Sequence, residues 1–203
     1  MATLSPVLLL PVKSPARGKS RLTGRAPEDR EALARAFAQD TLEAALSVEG
    51  IGRVVVLTTD ESVAEAARAA GAEARPDAVP GDLNATLTAA AAEVASDHPV
   101  IALCADLPSL RGSDLSRLLA EIPVEAEAFV PDAAGSGTTT YVAPTARFAP
   151  RFGPGSAQAH RDAGATPVGL ELARLRADVD DAAALERAAA LGLGPHTAAV
   201  MGS

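Results

Sequence analysis

The chain is poor in aromatic residues, cysteine and lysine. Aromatic residues make up 2% of its 203 residues and tryptophan is absent, whereas hydrophobic residues make up 48%. The core must therefore be built mainly from alanine, valine and leucine. The single cysteine, Cys104, excludes an internal disulfide and a cysteine-based zinc site.

Long apolar runs and an excess of positive charge are also missing. No apolar stretch approaches the roughly 18 residues of a membrane span, and no basic segment with a following apolar run resembles a signal peptide. A formal net charge of −8 disfavours general nucleic-acid binding. We therefore expect one domain spanning residues 1–203, with a cytoplasmic location and no nucleic-acid or membrane partner.

Several common catalytic motifs are absent from the sequence. It contains no G-x-G-x-x-G after a strand, no Walker A motif, no G-x-S-x-G and no histidines at metal-binding spacing. These absences disfavour a dinucleotide-dependent dehydrogenase, a P-loop kinase and a serine hydrolase.

The opening segment carries the clearest local charge pattern. An apolar run, Val7 to Leu10, predicts a buried strand, and no acidic residue precedes Glu28. The loop between them contains the basic residues Lys13, Arg17, Lys19 and Arg21, which include both lysines of the chain. Because the compact lysine ammonium suits phosphate, the pattern favours a phosphate-binding loop over a solvated basic turn.

Apolar runs and helical spacings alternate along the chain, which predicts an α/β fold with a mostly parallel sheet. The predicted strands are Val7–Leu10, Val54–Leu57, Ala72–Arg75, Pro99–Ala105, Ala128–Val130, Thr138–Val142 and a segment within Leu170–Val179. The predicted helices are Pro27–Ser47, Glu61–Ala70, Ala85–Ser96, Ser113–Glu121, Ser156–Ala163 and Ala182–Leu191. The glycine turn between the fifth and sixth strands indicates an antiparallel pair there.

Acidic residues follow the predicted strands at two places. In open α/β sheets, ligands bind beyond the carboxyl ends of the strands. Asp106 follows the strand at Val100, and Asp178 and Asp180 precede the last predicted helix. These carboxylates suit a magnesium ion bound to phosphates; the alternative is that they cap turns and the helix at Ala182.

Two glycine-rich turns could approach an anion closely. Gly153–Ser156 opens a predicted helix, so its backbone N–H groups and the Ser156 hydroxyl could hold a phosphate or carboxylate. The N–H groups of Gly135–Thr138 could do the same. The alternative at Gly153 is a simple turn in which Ser156 is the N-cap.

Together, these motifs resemble one enzyme family. In order they are Pro-Val-Lys, Lys-Ser-Arg-Leu, Gly-Asp-Leu-Asn, Ala-Asp-Leu-Pro, Gly-Thr-Thr, Phe-Gly-Pro-Gly-Ser with a following His, and Asp-Val-Asp. The set resembles the 2-phospho-L-lactate or phosphoenolpyruvate guanylyltransferases of deazaflavin coenzyme F(420) biosynthesis, from about Val7 to Leu191. The resemblance implies a three-layer, Rossmann-like mixed sheet, mostly parallel, of the nucleotide-diphospho-sugar transferase (glycosyltransferase-A) type.

The resemblance also implies roles for the matching residues. The phosphoenolpyruvate or phospholactate would be held by Thr138, Gly153 and Ser156. Mg²⁺ would be held by Asp106, Asp178 and Asp180. The triphosphate of GTP would face Lys13, Lys19 and Arg21, with Lys19 and Asp106 as catalytic residues. The guanine or ribose would lie near Gly81 and Asn84.

The implied reaction transfers GMP from GTP to the small phosphorylated acid, with release of pyrophosphate. Two alternatives stay open: a nucleotidyltransferase for another acceptor, such as 3-phosphoglycerate or a sugar phosphate, and a non-catalytic nucleotide-binding module. A homodimer and hand-over of an unstable product to the next transferase of the pathway are further expectations.

Overall fold

The computed structural model describes residues 5–14, 22, 26–94, 98–123 and 125–202. The strands in these residues are β1 (Val7–Pro11), β2 (Arg53–Leu57), β3 (Glu73–Arg75), β4 (Pro99–Leu103), β5 (Ala128–Pro131), β6 (Thr138–Pro144) and β7 (Thr166–Pro167). The helices are α1 (Pro27–Leu46), α2 (Glu61–Ala69), α3 (Leu83–Val94), α4 (Gly112–Glu121), α5 (Ser156–Asp162), α6 (Ala182–Ala190) and α7 (Pro195–Met201).

The seven strands form one sheet in the order β3-β2-β1-β4-β6-β5-β7. β1 pairs in parallel with β2 and β4, and β2 pairs in parallel with β3. β6 is antiparallel to both of its neighbours, β4 and β5. The sheet is therefore mostly parallel with one reversed strand, and the predicted antiparallel pair after Phe129 is confirmed.

The two faces of the sheet are covered by different helices because successive strand residues point to opposite sides. Leu8 and Leu10 of β1 pack into a core with α1, α2 and α4. Val7 and Leu9 pack into a second core with α3 and α5. All four side chains are at most 2% exposed. The helix–sheet–helix layering matches the predicted three-layer architecture.

Three of the predicted helices begin with residues that stabilise a helix N-terminus. α1 begins with Pro27 and has acidic residues in its first turn, as the helix dipole favours. Asp60 caps α2 by accepting the N–H groups of Ser62 and Val63. Asp181 caps α6 by accepting the N–H group of Ala184 at 2.7 Å, so the expected capping role of this residue is confirmed.

The strand predicted within Leu170–Val179 is wrong. This segment forms successive turns, in which Leu172 donates to Gly169 and Leu175 donates to Leu172. The buried positions Leu175, Ala177 and Val179 alternate as in a strand. They lie in coil instead: Leu175 belongs to the core of α1, α2 and α4, and Val179 packs against α1 and α6. This segment has no strand partner among the described residues.

Two further elements, β7 and α7, are not predicted by the sequence patterns. α7 docks on α1 through the buried Asp40, which accepts the N–H groups of His196 at 3.0 Å and Thr197 at 2.9 Å. Its start follows the favoured pattern of proline in the first helical turn, at Pro195. None of the helices in the described residues combines the length and hydropathy needed to cross a bilayer.

Candidate functional site

The ends of β1 and β4 bring a lysine and an aspartate to the same edge of the sheet. The two strands are parallel neighbours in which Leu9 pairs with Ala102. Lys13 and Asp106 each lie four residues beyond this pair, so both follow their strands at the carboxyl edge. The Lys13 side chain is exposed and Asp106 is half-buried.

A backbone hydrogen bond places the second acidic segment beside the first. The Val179 N–H group donates to the Asp106 carbonyl at 3.0 Å. Val179 itself is fully buried against α1 and α6. Because this anchor lies between Asp178 and Asp180, it holds both residues next to the end of β4.

These carboxylates interact electrostatically. Burial raises the pKa of Asp178 to about 7, and three surrounding carboxylates add to the rise. They belong to Asp106, Asp132 and Asp180. The first and third were predicted from the sequence as partners of Asp178, whereas Asp132 was not. The arrangement concentrates negative charge at one point of the sheet edge, which is an environment that favours a cation.

The donor set fits magnesium better than a metal that needs a closed protein cage. Within the described ranges, no group of three or more histidine, cysteine, aspartate or glutamate side chains is arranged to hold a metal ion. Mg²⁺ is usually held by one or two carboxylates together with water and substrate phosphates. The predicted ligands Asp106, Asp178 and Asp180 supply oxygen atoms of this kind, and their magnesium role stays a prediction.

Asp132 explains why the Gly135–Thr138 turn does not need an external anion. Its carboxylate accepts the N–H groups of Ser136 and Gly137, both at 2.9 Å. A Cβ atom at Gly137 would lie 2.5 Å from Asp132 Oδ2, so a side chain there would displace the carboxylate. The N–H groups that the sequence suggested for a bound anion are therefore satisfied by the carboxylate of Asp132 itself. An aspartate just before a Gly-Ser-Gly turn is the available sequence signal, because aspartate often accepts such N–H groups.

Thr138 reaches its position through an irregularity in β6. Val130 of β5 pairs with Thr140, whereas the next residue, Pro131, pairs with Thr138, so Thr139 is an extra residue on β6. Such a bulge changes the alternation of side chains. The Thr139 hydroxyl donates to the Leu175 carbonyl at 2.7 Å, while the Thr138 hydroxyl meets a histidine in the other core.

That histidine, His160 of α5, joins the predicted acceptor residues. Its Nδ1 atom lies 3.1 Å from Thr138 Oγ1 and 2.9 Å from the Ser156 carbonyl oxygen. Its Nε2 atom accepts the Arg151 N–H group at 3.0 Å. Burial lowers the pKa of His160 to about 4, and the charge of Arg151 adds to the lowering. The sequence motif contains this histidine. Because the three histidines of the chain are scattered, the sequence predicts a surface or helix-face position for it, whereas its side chain is 1% exposed.

The Gly153–Ser156 turn keeps part of its backbone available. Gly153 and Gly155 adopt φ angles of 138° and 71°, which disfavour other residues. The Ser156 N–H group donates a hydrogen bond to the Gly153 carbonyl oxygen at 3.1 Å. Within the described chain, the N–H groups of Gly153 and Gly155 have no hydrogen-bond partner. The turn, rather than the seven-residue α5, therefore offers the free donors.

The predicted nucleotide-binding residues have different environments. The Asn84 side-chain amide donates to the Phe152 carbonyl at 2.9 Å and accepts the Phe152 N–H group at 2.8 Å. Asn84 thus clamps the segment before the Gly153 turn. Gly81 lies in an exposed turn with φ 94°. Lys19 and Arg21 lie outside the described residues, so their roles stay predictions.

A separate cavity of about 300 Å³ lies between α1 and α2. No predicted site residue that the structure describes lines it. Its lining is mostly apolar and includes Val12, Arg35, Gln39, Glu43, Val63 and His196. The predicted carboxylates and the Gly153–Ser156 turn, here called the acceptor turn because it is predicted to bind the acceptor substrate, are therefore not part of this cavity.

Comparison with known proteins identifies the family. A family model described as "Guanylyl transferase CofC like" matches residues 7–172. The chain belongs to this guanylyltransferase family. A protein named phosphoenolpyruvate guanylyltransferase from Streptomyces coelicolor is 46% identical over 199 residues, which cover 95% of this chain and 94% of that protein. One of the same name from Thermomonospora curvata is 45% identical, covering 98% and 90%.

Solved structures support the fold. A structure described as a nucleotide-diphospho-sugar transferase from Desulfovibrio desulfuricans has a TM-score of 0.62 at 18% identity, covering 87% of this chain and 79% of that one. A CMP:2-keto-3-deoxy-manno-octonic acid synthetase complexed with CTP has a TM-score of 0.56 at 21% identity, covering 92% and 97%. The predicted fold type is confirmed, and the family match confirms the predicted nucleotidyltransferase class.

Proposed function

We propose that the protein transfers GMP from GTP to phosphoenolpyruvate and releases pyrophosphate, as a step of coenzyme F(420) biosynthesis. Relatives of 45–46% identity that span almost the whole chain support the choice of acceptor and transferred group. The observation that carries the chemistry is the Val179–Asp106 backbone bond, because it joins two acidic segments at the strand end next to Lys13.

The reaction is a nucleophilic substitution at phosphorus. A phosphate oxygen of the acceptor forms a bond to the α-phosphorus of GTP, and the bond from that phosphorus to the oxygen bridging the β-phosphate breaks. Pyrophosphate leaves with the electron pair. A phosphate monoester is already largely ionised near neutral pH, because its second pKa is about 6. The reaction therefore needs no protein base, and catalysis consists of positioning and charge neutralisation.

The acceptor and the nucleotide are assigned to neighbouring parts of the site. The Thr138 hydroxyl and the free N–H groups of Gly153 and Gly155 are donors suited to the acceptor phosphate or carboxylate. Ser156 is buried at the end of the same turn. Lys13 follows β1, where the triphosphate would lie, and we assign Lys19 and Arg21 to the same group of phosphates on the family pattern.

Asp106, Asp178 and Asp180 would hold Mg²⁺. When bound, the ion neutralises charge on the triphosphate and helps to orient it. The protein's own contribution is the backbone bond from Val179 to Asp106, which keeps the segment that carries Asp178 and Asp180 beside the end of β4. One or two of these carboxylates would then bind the ion together with phosphate oxygens. Chelation with EDTA should therefore stop turnover, and added Mg²⁺ should restore it.

The proposal is tested by pyrophosphate release in a reaction that contains GTP, phosphoenolpyruvate and Mg²⁺. Release should require all three components. Asp106→Asn should lower kcat by at least about a hundredfold, the size of the loss when one preorganised electrostatic contact is removed from an active site. Asp162→Asn, a change to an exposed carboxylate of α5, is the matched control and should retain activity.

Competition between acceptors in the same assay separates the alternatives. Preferential turnover of 2-phospho-L-lactate, 3-phosphoglycerate or a sugar phosphate would replace phosphoenolpyruvate as the acceptor. GTP binding without turnover of any acceptor would favour a nucleotide-binding module. The homodimer, the hand-over of product and the cytoplasmic location stay predictions.

A further inference from the structure

His160 has an exceptional share of the chain's aromatic rings. The chain contains four phenylalanines and one tyrosine, and three of these five side chains pack on this imidazole. Tyr141 and Phe129 stack on it with centroid distances of 4.7 Å and 5.4 Å, and Phe152 meets it edge-on at 5.8 Å. The side chain is 1% exposed. The packing therefore fixes the plane of the ring.

The partners of the two ring nitrogens determine which one carries the hydrogen. Nε2 faces the Arg151 N–H group, which can only donate, so Nε2 must accept. Nδ1 faces the Ser156 carbonyl oxygen, which can only accept, so Nδ1 must donate. Both contacts assign the same neutral Nδ1–H tautomer.

This tautomer restricts the hydroxyl of Thr138. Oγ1 lies 3.1 Å from Nδ1. The one hydrogen on Nδ1 faces both this oxygen and the Ser156 carbonyl, and a protonated Nδ1 has no lone pair with which to accept, so Oγ1 cannot donate at this contact. The hydroxyl hydrogen must then point elsewhere. Within the described residues Thr138 Oγ1 has no other hydrogen-bond partner, although the residue is only 7% exposed. A ligand oxygen in the acceptor site would complete its hydrogen bonding.

The same ring also spans the glycine turn. Arg151 lies before Gly153, and Ser156 lies after Gly155, so the two nitrogens bind the backbone on both sides of the turn. The turn is thereby held beside Thr138. The Thr138 hydroxyl and the N–H groups of Gly153 and Gly155, which we assign to the binding of phosphoenolpyruvate, thus depend on one imidazole for their relative positions.

Building on the function proposed above, we infer that His160 is the positioning residue of the acceptor site. Its Nδ1–H group keeps Thr138 Oγ1 as an acceptor, so that the Thr138 hydroxyl donates to the bound phosphoenolpyruvate. Its two backbone contacts hold the N–H groups of Gly153 and Gly155 toward the same ligand. His160 touches neither substrate and acts through Thr138 and the turn.

The test is a double-mutant cycle on the two side chains. His160→Phe keeps a stacked ring and removes both nitrogen contacts, and Thr138→Val removes the hydroxyl. We expect His160→Phe to raise the KM for phosphoenolpyruvate about tenfold, the effect of losing one hydrogen bond, with the KM for GTP within about twofold. In the Thr138→Val background, the His160→Phe change should raise the acceptor KM much less.

A conservative variant and a spectroscopic measurement distinguish positioning from simple packing. His160→Asn places an amide N–H group near the position of Nδ1. The KM of this variant for phosphoenolpyruvate should therefore be much closer to the wild-type value than that of His160→Phe. The ¹⁵N chemical shifts of His160 in the wild-type protein should show the Nδ1–H tautomer. A purely structural role would affect the KM of both substrates and would give an additive cycle.

The outcomes separate this inference from the proposed function. An Nε2–H tautomer would overturn the role of His160 whatever the enzyme turns over. An additive cycle in an enzyme that uses phosphoenolpyruvate would overturn it and leave the proposed function in place. Absence of turnover with phosphoenolpyruvate in the wild type would overturn the proposed function, and the inference would fall with it.

Discussion

Mild acid should destabilise the protein through His160. The folded pKa of this buried histidine is about 4, below the ordinary value of 6.5 that applies to the unfolded chain. Between these values the unfolded chain binds a proton that the folded protein does not, so stability is complete above pH 6.5 and is lost as the pH falls. Protonation would place an Nε2–H group against the Arg151 N–H group, which has no acceptor to offer.

The magnitude follows from the two pKa values. The folded state should lose about 2 kcal/mol at pH 5 and about 3 kcal/mol at pH 4 through this group, relative to pH 7.5. The measurement is urea unfolding at pH 7.5 and pH 5 for the wild type and for His160→Asn. Charges that titrate elsewhere, including carboxylates, are common to both proteins and cancel in the comparison. An equal loss of stability in both proteins would show that protonation of His160 is not the cause.

Three further changes test other contacts. Asn84→Ala removes the clamp on the segment before the acceptor turn, so it should raise the KM for phosphoenolpyruvate several-fold more than that for GTP; the reverse result in steady-state kinetics would assign Asn84 to the nucleotide. Gly137→Ala should displace the Asp132 carboxylate and cost about 1–3 kcal/mol in urea unfolding; an unchanged midpoint would contradict this. Asp40→Ala uncaps α7 and should cost about 2 kcal/mol, whereas the exposed Glu43→Ala control should cost less than about 1 kcal/mol; equal costs would show that the cap contributes little.

The general layout of the site could be predicted because strand ends are visible in the sequence. The apolar runs before Lys13 and Asp106 are short, continuous and bounded by loop residues. Parallel pairing then brings their carboxyl ends to one edge. The same rule does not say how far a coil segment lies from that edge. The grouping of Asp178 with Asp106 was expected from the family resemblance, and its physical basis, the Val179 hydrogen bond, is visible only in the structure.

Other parts of the site depend on contacts that a local pattern does not contain. The extra residue Thr139 reverses the direction of Thr138, and no residue type in the run of three threonines marks the bulge. The tautomer of His160 depends on backbone groups on both sides of a turn. Burial that alternates at Leu175 and Val179 resembled a strand because coil and strand residues can be buried with the same period.

The chemistry of Asp132 was missed for a related reason. The glycines of its turn suggested N–H groups free for a ligand, but the sequence alone does not show which anion they bind. In the structure, the N–H groups of Ser136 and Gly137 donate to the Asp132 carboxylate. The glycines at Gly153 and Gly155 face no such internal acceptor among the described residues, which is why one turn is a candidate binding element and the other is not.

A crystal structure of the Asp106→Asn variant, grown with GTP, phosphoenolpyruvate and Mg²⁺, would test most directly whether one edge of the sheet binds both substrates. We expect the triphosphate beyond the end of β1 near Lys13, and phosphoenolpyruvate on the Thr138 hydroxyl and the Gly153 turn. Density for GTP in the cavity between α1 and α2, or for phosphoenolpyruvate away from Thr138, would contradict it.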